Sequence, residues 1–167
     1  MHNELTKIDL EKMQQELDYR RITLRPQLLE EVKVARSFGD LSENFEYKAA
    51  KREKNRNDSR IRYLENMIKT AVVIEVESAP DEVGLFDTVE IYIEDEDETE
   101  VFQIVTTLRQ NALEGRLSKE SPLGKAIMGH KLGDKVTVKA SADYSYTAVI
   151  KSITKGEDPE DVPISLY

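Results

Sequence analysis

From Tyr47 to Ala71 the chain sets Tyr47, Ala50, Lys54, Asn57, Ile61, Leu64, Ile68 and Ala71 in alternating steps of three and four. A period of 3.5 keeps one stripe turned toward a partner helix, so it specifies a coiled coil rather than the broader apolar face of a globular helix. Leu10, Met13, Leu17, Leu24, Leu28, Val32 and Ala35 trace a second, less regular stripe upstream. The turn between the stripes is short, which predicts an antiparallel hairpin. An arm of about 30 residues at 1.5 Å rise reaches on the order of 45 Å. Pro26 removes a backbone donor and crowds the preceding turn, predicting a kink or break there. The seam is greasy only at its base, where Ile61, Leu64 and Ile68 can meet Leu10, Met13 and Leu17. Toward the turn it becomes small or polar, and with about 0.8 kcal/mol per buried methylene the tip is expected to be thin and weakly stabilised.

After Ala71 the period changes to two. Val72–Glu77 reads as a strand, and further strands are predicted at Thr88–Glu94, Val101–Thr106, Lys135–Ala140 and Tyr146–Ile153, with Asp95–Glu98 as a solvated turn. Ser121–Gly129 has the form of a short capped helix: Ser121 as N-cap, Pro122 in the first position, Gly129 past the end. The fold class expected is α+β, an N-terminal antiparallel helical hairpin followed by an antiparallel sheet domain with a short helix. The limits expected are 1–75 for the hairpin with its acidic tip at 39–46, 76–84 for a linker, 85–156 for the sheet domain and 157–167 for a loose acidic tail.

Net charge is −9 over 167 residues, but it is unevenly placed. Residues 1–75 hold 15 basic and 14 acidic side chains, the remainder 9 and 19, so two modules with different partners are implied. With no cysteine there is no disulfide framework, thiol nucleophile or cysteine-based zinc site. No apolar run approaches the roughly 20 residues of a membrane span, and Met1–Leu5 lacks a signal-peptide pattern, so a cytoplasmic location is expected.

The turn carries the chemistry. Asp40-x-x-Glu43 has the spacing of a capping box, and both acids would favour the positive end of the following helix. A cap fixes carboxylates without consuming all their lone pairs. Two hard oxygen donors suit Mg²⁺ but leave most of its shell to another molecule, so no metal is expected to bind independently. Lys48, Arg52, Arg56 and Arg60 lie at steps of four, a stripe able to follow a phosphate backbone, although such runs on coiled coils usually just keep the outer face wet. His2 and His130 are too separated for a sequence-evident metal cluster. No nucleophile elbow, Walker loop or dinucleotide fingerprint is present. The chain does not read as a self-contained enzyme.

Arg25-Pro26, then Ala35-Arg36-x-x-Gly39-Asp40-Leu41-Ser42-Glu43-Asn44-x-Glu46-Tyr47-x-Ala49-Ala50-Lys51, resembles the N-terminal hairpin of bacterial GreA/GreB transcript-cleavage factors. Arg60-Ile61-x-x-Leu64-Glu65 and Ala71–Ile74 continue the resemblance. Ser121-Pro122-Leu123-Gly124-x-Ala126-Ile127-x-Gly129 and Gly133-Asp134-x-Val136 resemble the family's C-terminal, FKBP-like domain. The resemblance implies a monomeric elongation factor that docks on RNA polymerase and inserts its coiled coil into the secondary channel. There the tip acids help hold a second Mg²⁺ and orient water, so that the polymerase cleaves the backtracked RNA 3′ end. Carried over residue by residue, it gives Asp40 and Glu43 the metal-supporting role. Ser42, Asn44 and Tyr47 shape the tip or contact the catalytic region. Arg36, Lys51 and Arg52 face RNA or the channel, and Ser121, Pro122 and Leu123 dock on the channel rim. The chain departs from the pattern where Asp9 stands in place of the usual glycine and where Thr106–Asn111 replaces a glycine and acidic segment. Phe45 also replaces a typically small residue. Two alternatives stand beside this reading: a same-fold regulator that occupies the channel and inhibits or modulates synthesis without promoting cleavage, and a coiled-coil protein unrelated to transcription.

Overall fold

The computed structural model describes residues 3–40 and 42–165. His2 and Leu41, both named in the sequence reading, lie outside the described residues, as do the last two positions of the tail. The architecture is α+β, in two compact units: Leu10–Ala71, and Met1–Asp9 together with Val72–Tyr167. The N-terminal residues thus group with the sheet, and so does the chain from Val72 onward, a different division from limits drawn at 75 and 85. No described helix is long and apolar enough to cross a membrane.

Helix α1 (Lys7–Asp18), whose first three residues group with the sheet unit, leads in the hairpin unit through Tyr19–Leu24 into α2 (Arg25–Arg36), and α3 (Phe45–Thr70) returns. Every seam position predicted on both arms is buried or half-buried. Partners step up one arm as they step down the other, with Glu16 to Arg60, Arg20 to Asn57 and Arg36 to Tyr47, which makes the arms antiparallel. Pro26 does not break the helix. Tyr19–Leu24 winds as a π-helix with right-handed helical backbone at both flanks, and the Arg25 amide reaches back five residues to the Arg20 carbonyl. The wider turn relieves the crowding that the proline ring imposes on the residues before it.

The long step from Leu17 to Leu24 in the seam is filled by Arg20, and here the hairpin interior is polar. Arg60, 2% exposed, donates Nε and Nη2 to the two oxygens of Glu16 at 2.8 and 3.0 Å. Arg20 donates to Glu16 at 2.7 Å and to Asn57 Oδ1 at 2.9 Å, while Asn57 Nδ2 returns a bond to the Arg20 carbonyl. Arg60 is therefore not the last member of an outer basic stripe, because its guanidinium is committed to the seam. Burial alone would raise the Glu16 carboxyl, but the bonds from Arg60 and Arg20 outweigh it and hold the group below its ordinary 4.5.

The sheet unit pairs β1 (Glu4–Leu5) with β2 (Val72–Val73) in parallel, apart from a five-stranded sheet. That sheet comprises β3 (Thr88–Ile93), β4 (Glu98–Val105), β5 (Arg116–Ser118), β6 (Lys135–Lys139) and β7 (Ser145–Thr154) in the order β5-β4-β3-β7-β6. Its pairings are antiparallel except β4 with β5. Period-two residues Val89, Ile91 and Ile93 face Ile104, Val136, Val138 and Ile150 in one core, closed by Leu123 and Ile127 of α4 (Pro122–Ile127). The strand predicted over Val72–Glu77 is only two residues long: its partner β1 gives way to α1 at Lys7, and the last ladder bond is Ile74 N–H to the Leu5 carbonyl.

Asp9 and Arg109 form a buried ion pair in this unit, with Arg109 Nε donating to Asp9 Oδ1 at 2.7 Å and neither side chain exposed. Thr106 Oγ1 donates to the other Asp9 oxygen at 2.9 Å, as does the Thr6 amide at 3.0 Å. Arg109 Nη1 binds the Pro159 carbonyl at 2.8 Å and lies 2.5 Å from the Asp158 carboxylate. Its Nη2 has no hydrogen-bond acceptor among the described residues, but the guanidinium sits 5.3 Å from the Phe86 ring, whose π face compensates in part. The described part of the acidic tail is thus tied down rather than loose, and the Ser165 amide bonds the Leu108 carbonyl as well.

Removing one partner of a buried pair strands the other charge. Arg109→Met should therefore lower unfolding free energy by about 3–5 kcal/mol, and Asp9→Asn/Arg109→Met should lose less than the two single changes together, both read by urea denaturation. Because the Glu16 carboxyl titrates lower folded than unfolded, its contribution is complete above the ordinary glutamate value of 4.5 and is lost as pH falls through the folded value. The urea midpoint of the hairpin should drop on acidification through that range, and Glu16→Gln should flatten this component of the pH dependence.

Candidate functional site at the turn of the hairpin

Helix α2 closes with the Ser37 hydroxyl on the Val34 carbonyl and the Phe38 amide on the Ala35 carbonyl. Gly39 follows at φ +136°, a backbone region that strains any residue with a Cβ. Asp40 then organises a local turn, its Oδ1 accepting both the amide and the hydroxyl of Ser42 at 3.0 Å. Those two bonds, the amide's foremost, hold the Asp40 carboxyl below its ordinary 3.8, so it is ionised at neutral pH. Among the described residues no hydrogen bond engages Oδ2, and the residue is exposed.

The cap of α3 is Asn44, not Asp40. Its Oδ1 accepts from the Tyr47 amide at 2.9 Å while its Nδ2 donates to the Ala35 carbonyl at 2.7 Å. One amide therefore satisfies an orphan donor of α3 and adds a second donor to the Ala35 carbonyl of α2, which a carboxylate cannot do because it has nothing to donate. The predicted capping box of Asp40 and Glu43 does not form. Reciprocal capping occurs instead at Thr6 and Asp9, where each amide bonds the other's side chain at 3.0 and 3.2 Å.

Asp40 and Glu43, freed from capping, line an open depression of about 620 Å³ with Phe38, Asn44, Phe45 and Glu46. Beside it, the Tyr47 ring is flanked by the Arg36 guanidinium at 5.5 Å and the Lys51 ammonium at 5.9 Å. The hydrogen bond from Arg36, supported by the charges of both cations, draws the Tyr47 phenol below its ordinary 10.0. Arg52 lies exposed on α3. The structure thus gathers Arg36, Asp40, Ser42, Glu43, Asn44, Tyr47 and Lys51 at one end of the hairpin unit.

Ser121, Pro122 and Leu123 belong to the sheet unit. The Ser121 hydroxyl is spent locally, accepting from the Gly124 amide and donating to the Ser118 carbonyl, and Leu123 is buried in the core. Of the three, Pro122 is the exposed residue, next to exposed Lys125. Sequence reading marks Phe45 only as a departure from a pattern and passes over Phe38. The available signal was two large aromatics flanking a Gly-Asp turn with no core to receive them. A separate trio, Glu96, Glu98 and Glu100, brings carboxylate oxygens within 4.8 Å of one another in the β3–β4 hairpin, with nothing pointing to a ligand.

Fold and site define a class: an antiparallel helical hairpin with exposed acids at its turn, joined in one chain to a five-stranded sheet. Known proteins agree on which class this is. The family model described as "Transcription elongation factor, N-terminal" matches residues 3–73, and "Transcription elongation factor, GreA/GreB, C-term" matches residues 77–155. The transcription elongation factor GreA of Geobacillus kaustophilus is 43% identical over 136 residues, 81% of this chain and 86% of that one. GreA of Streptococcus gordonii is 40% identical over 152 residues, 90% and 94% of the two chains. The solved structure of GreA factor homolog 1 of Thermus thermophilus is 28% identical and covers 91% of this chain and 98% of that one, at a TM-score of 0.41. The chain belongs to the GreA/GreB family of transcription elongation factors.

Loss of the double-ended Asn44 amide should be felt across the turn. Asn44→Ala should destabilise the hairpin by about 1–2 kcal/mol, the range of a lost N-cap. Asn44→Asp, which keeps the acceptor and loses the donor, should recover part of it in thermal unfolding followed by circular dichroism.

Proposed function

We propose that this elongation factor binds RNA polymerase, carries its acidic turn into the secondary channel and stimulates the polymerase's own cleavage of backtracked RNA 3′ ends. The observation that carries this reading is the state of Asp40. It is an ionised carboxylate at the outer end of a two-helix arm, one oxygen fixed by Ser42 and the other open, beside exposed Glu43. Helix capping needs neither charge, because Asn44 supplies the cap.

The donor set fits a shared Mg²⁺: hard carboxylate oxygens, too few for a full shell, so the polymerase and RNA would supply the rest. A divalent ion so held can neutralise charge on a phosphodiester and raise the nucleophilicity of water. The chain's own contribution is placement. Ser42 fixes the Asp40 carboxylate, Asn44 locks the turn between the helices, and the Glu16, Arg20, Asn57 and Arg60 layer fixes their register. Arg36, Lys51 and Arg52 present positive charge toward RNA or the channel wall, and exposed Pro122 offers a contact for the rim. On this reading the factor activates an endonuclease without being one.

The test is a stalled, backtracked complex of the cognate polymerase. Wild-type factor should release short 3′ RNA fragments in a Mg²⁺-dependent manner. Asp40→Asn or Glu43→Gln should slow release by about 100-fold or more, the scale of losing one preorganised electrostatic partner. Polymerase binding should be retained in both, since the two side chains are exposed. Binding with inhibition and no cleavage would assign the chain to the channel-occupying regulators instead, and absence of binding would remove it from the polymerase altogether.

A further inference from the structure

Two aromatic rings share the depression with the acids. Phe45 is 81% exposed and Phe38 67% exposed, and neither packs into the seam of the hairpin. Phe45 opens α3, and with its ring so exposed the free fold buries little of it. The ring has a definite neighbour, the Lys48 ammonium, 5.7 Å from its centroid. On the next position but one, Tyr47 repeats the arrangement with Arg36 and Lys51. Aromatic faces alternating with cations are the composition that holds single-stranded nucleic acid, bases on rings and phosphates on cations.

We propose that Phe45, with Phe38 beside it, is a positioning platform that stacks an unpaired nucleobase of the displaced RNA 3′ segment next to Asp40 and Glu43. The inference rests on the cleavage-stimulating reading and adds to it what receives the RNA. The physical need is plain. Asp40, Glu43 and Glu46 together repel a phosphate backbone, so an RNA strand brought to them requires an attraction that does not depend on charge. Stacking supplies it, and Lys48 stands where the phosphate of the stacked nucleotide can meet a cation. An apolar side chain of a protein partner is a poorer occupant. Covering Phe45 with it would also desolvate the Lys48 ammonium and the nearby carboxylates without pairing them.

The experiment compares wild-type factor, Phe45→Ala and Phe45→Tyr on backtracked complexes whose displaced 3′ nucleotides either carry natural bases or are abasic. On natural RNA at subsaturating factor, Phe45→Ala should slow cleavage about 10-fold or more, while Phe45→Tyr, which keeps a stacking face, should stay near wild type. On abasic RNA, wild type and Phe45→Ala should cleave at one common, slower rate. An unchanged rate for Phe45→Ala on natural RNA would overturn the platform and leave the cleavage reading standing. Equal slowing on both RNAs would overturn it too, and would assign the ring to a protein surface. No stimulation by the wild-type factor would overturn the cleavage reading and this inference with it. Helicity of the variants by circular dichroism separates these outcomes from misfolding, which the exposure of Phe45 does not lead one to expect.

Discussion

A guanidinium shut away from water sets the terms for three separate stretches of the sheet unit. Arg109 cannot be buried without acceptors, and it finds them in Asp9 near the N-terminus and in Asp158 and Pro159 near the C-terminus. The same side chain lies on the Phe86 ring, in the middle of the core. Asp9 in turn is viable in the interior only because Arg109, Thr106 and the Thr6 amide surround its oxygens. Two apparent departures from the family pattern, at Asp9 and at Thr106–Asn111, are therefore one feature. The acid near the start and the arginine a hundred residues later answer each other, and each alone would be a defect.

The hairpin solves a different problem with similar means. Its seam has too little apolar area near the turn to fix alignment by burial, and a small-residue interface tolerates slippage. A paired Glu16 and Arg60, with Arg20 and Asn57 threaded through a π-helical turn, accepts one alignment and penalises the rest. At the far end the Asn44 amide closes the two helices on each other. With the helices held at these points, Asp40 spends one carboxylate oxygen on Ser42 and both acids stay exposed.

Much of this was legible in the chain. A 3.5 period can mean little else than a helix pair, and every position it named is at least half-buried. Strand alternation located the long strands of the sheet to within a few residues. What escaped were interactions whose partners lie far apart in sequence or whose chemistry has several local solutions. Arg60 looked like an outer-stripe residue because its spacing from Arg56 is right for one, and only the opposing Glu16 makes it an interior group. Asp40-x-x-Glu43 matches a cap by spacing, yet Asn44 wins because an amide can donate and accept at once. Short β5 carries too few residues to show a period, and β1 is two residues long, so neither could be read in advance. Phe38 and Phe45 drew no role from the sequence, since an exposed aromatic carries no periodicity of its own.

The polar layer in the hairpin has one more implication. Because it indexes the two helices by residue rather than by overall stickiness, the turn stands a counted number of residues beyond a fixed mark. Both helices must then grow or shrink together, and the seam stays in phase only for whole heptads, each worth about 10 Å of helix. The reach of the acids is thereby graduated, like a gauge with coarse divisions. On the proposed function, a polymerase channel of a given depth would be matched by one division and not by its neighbours.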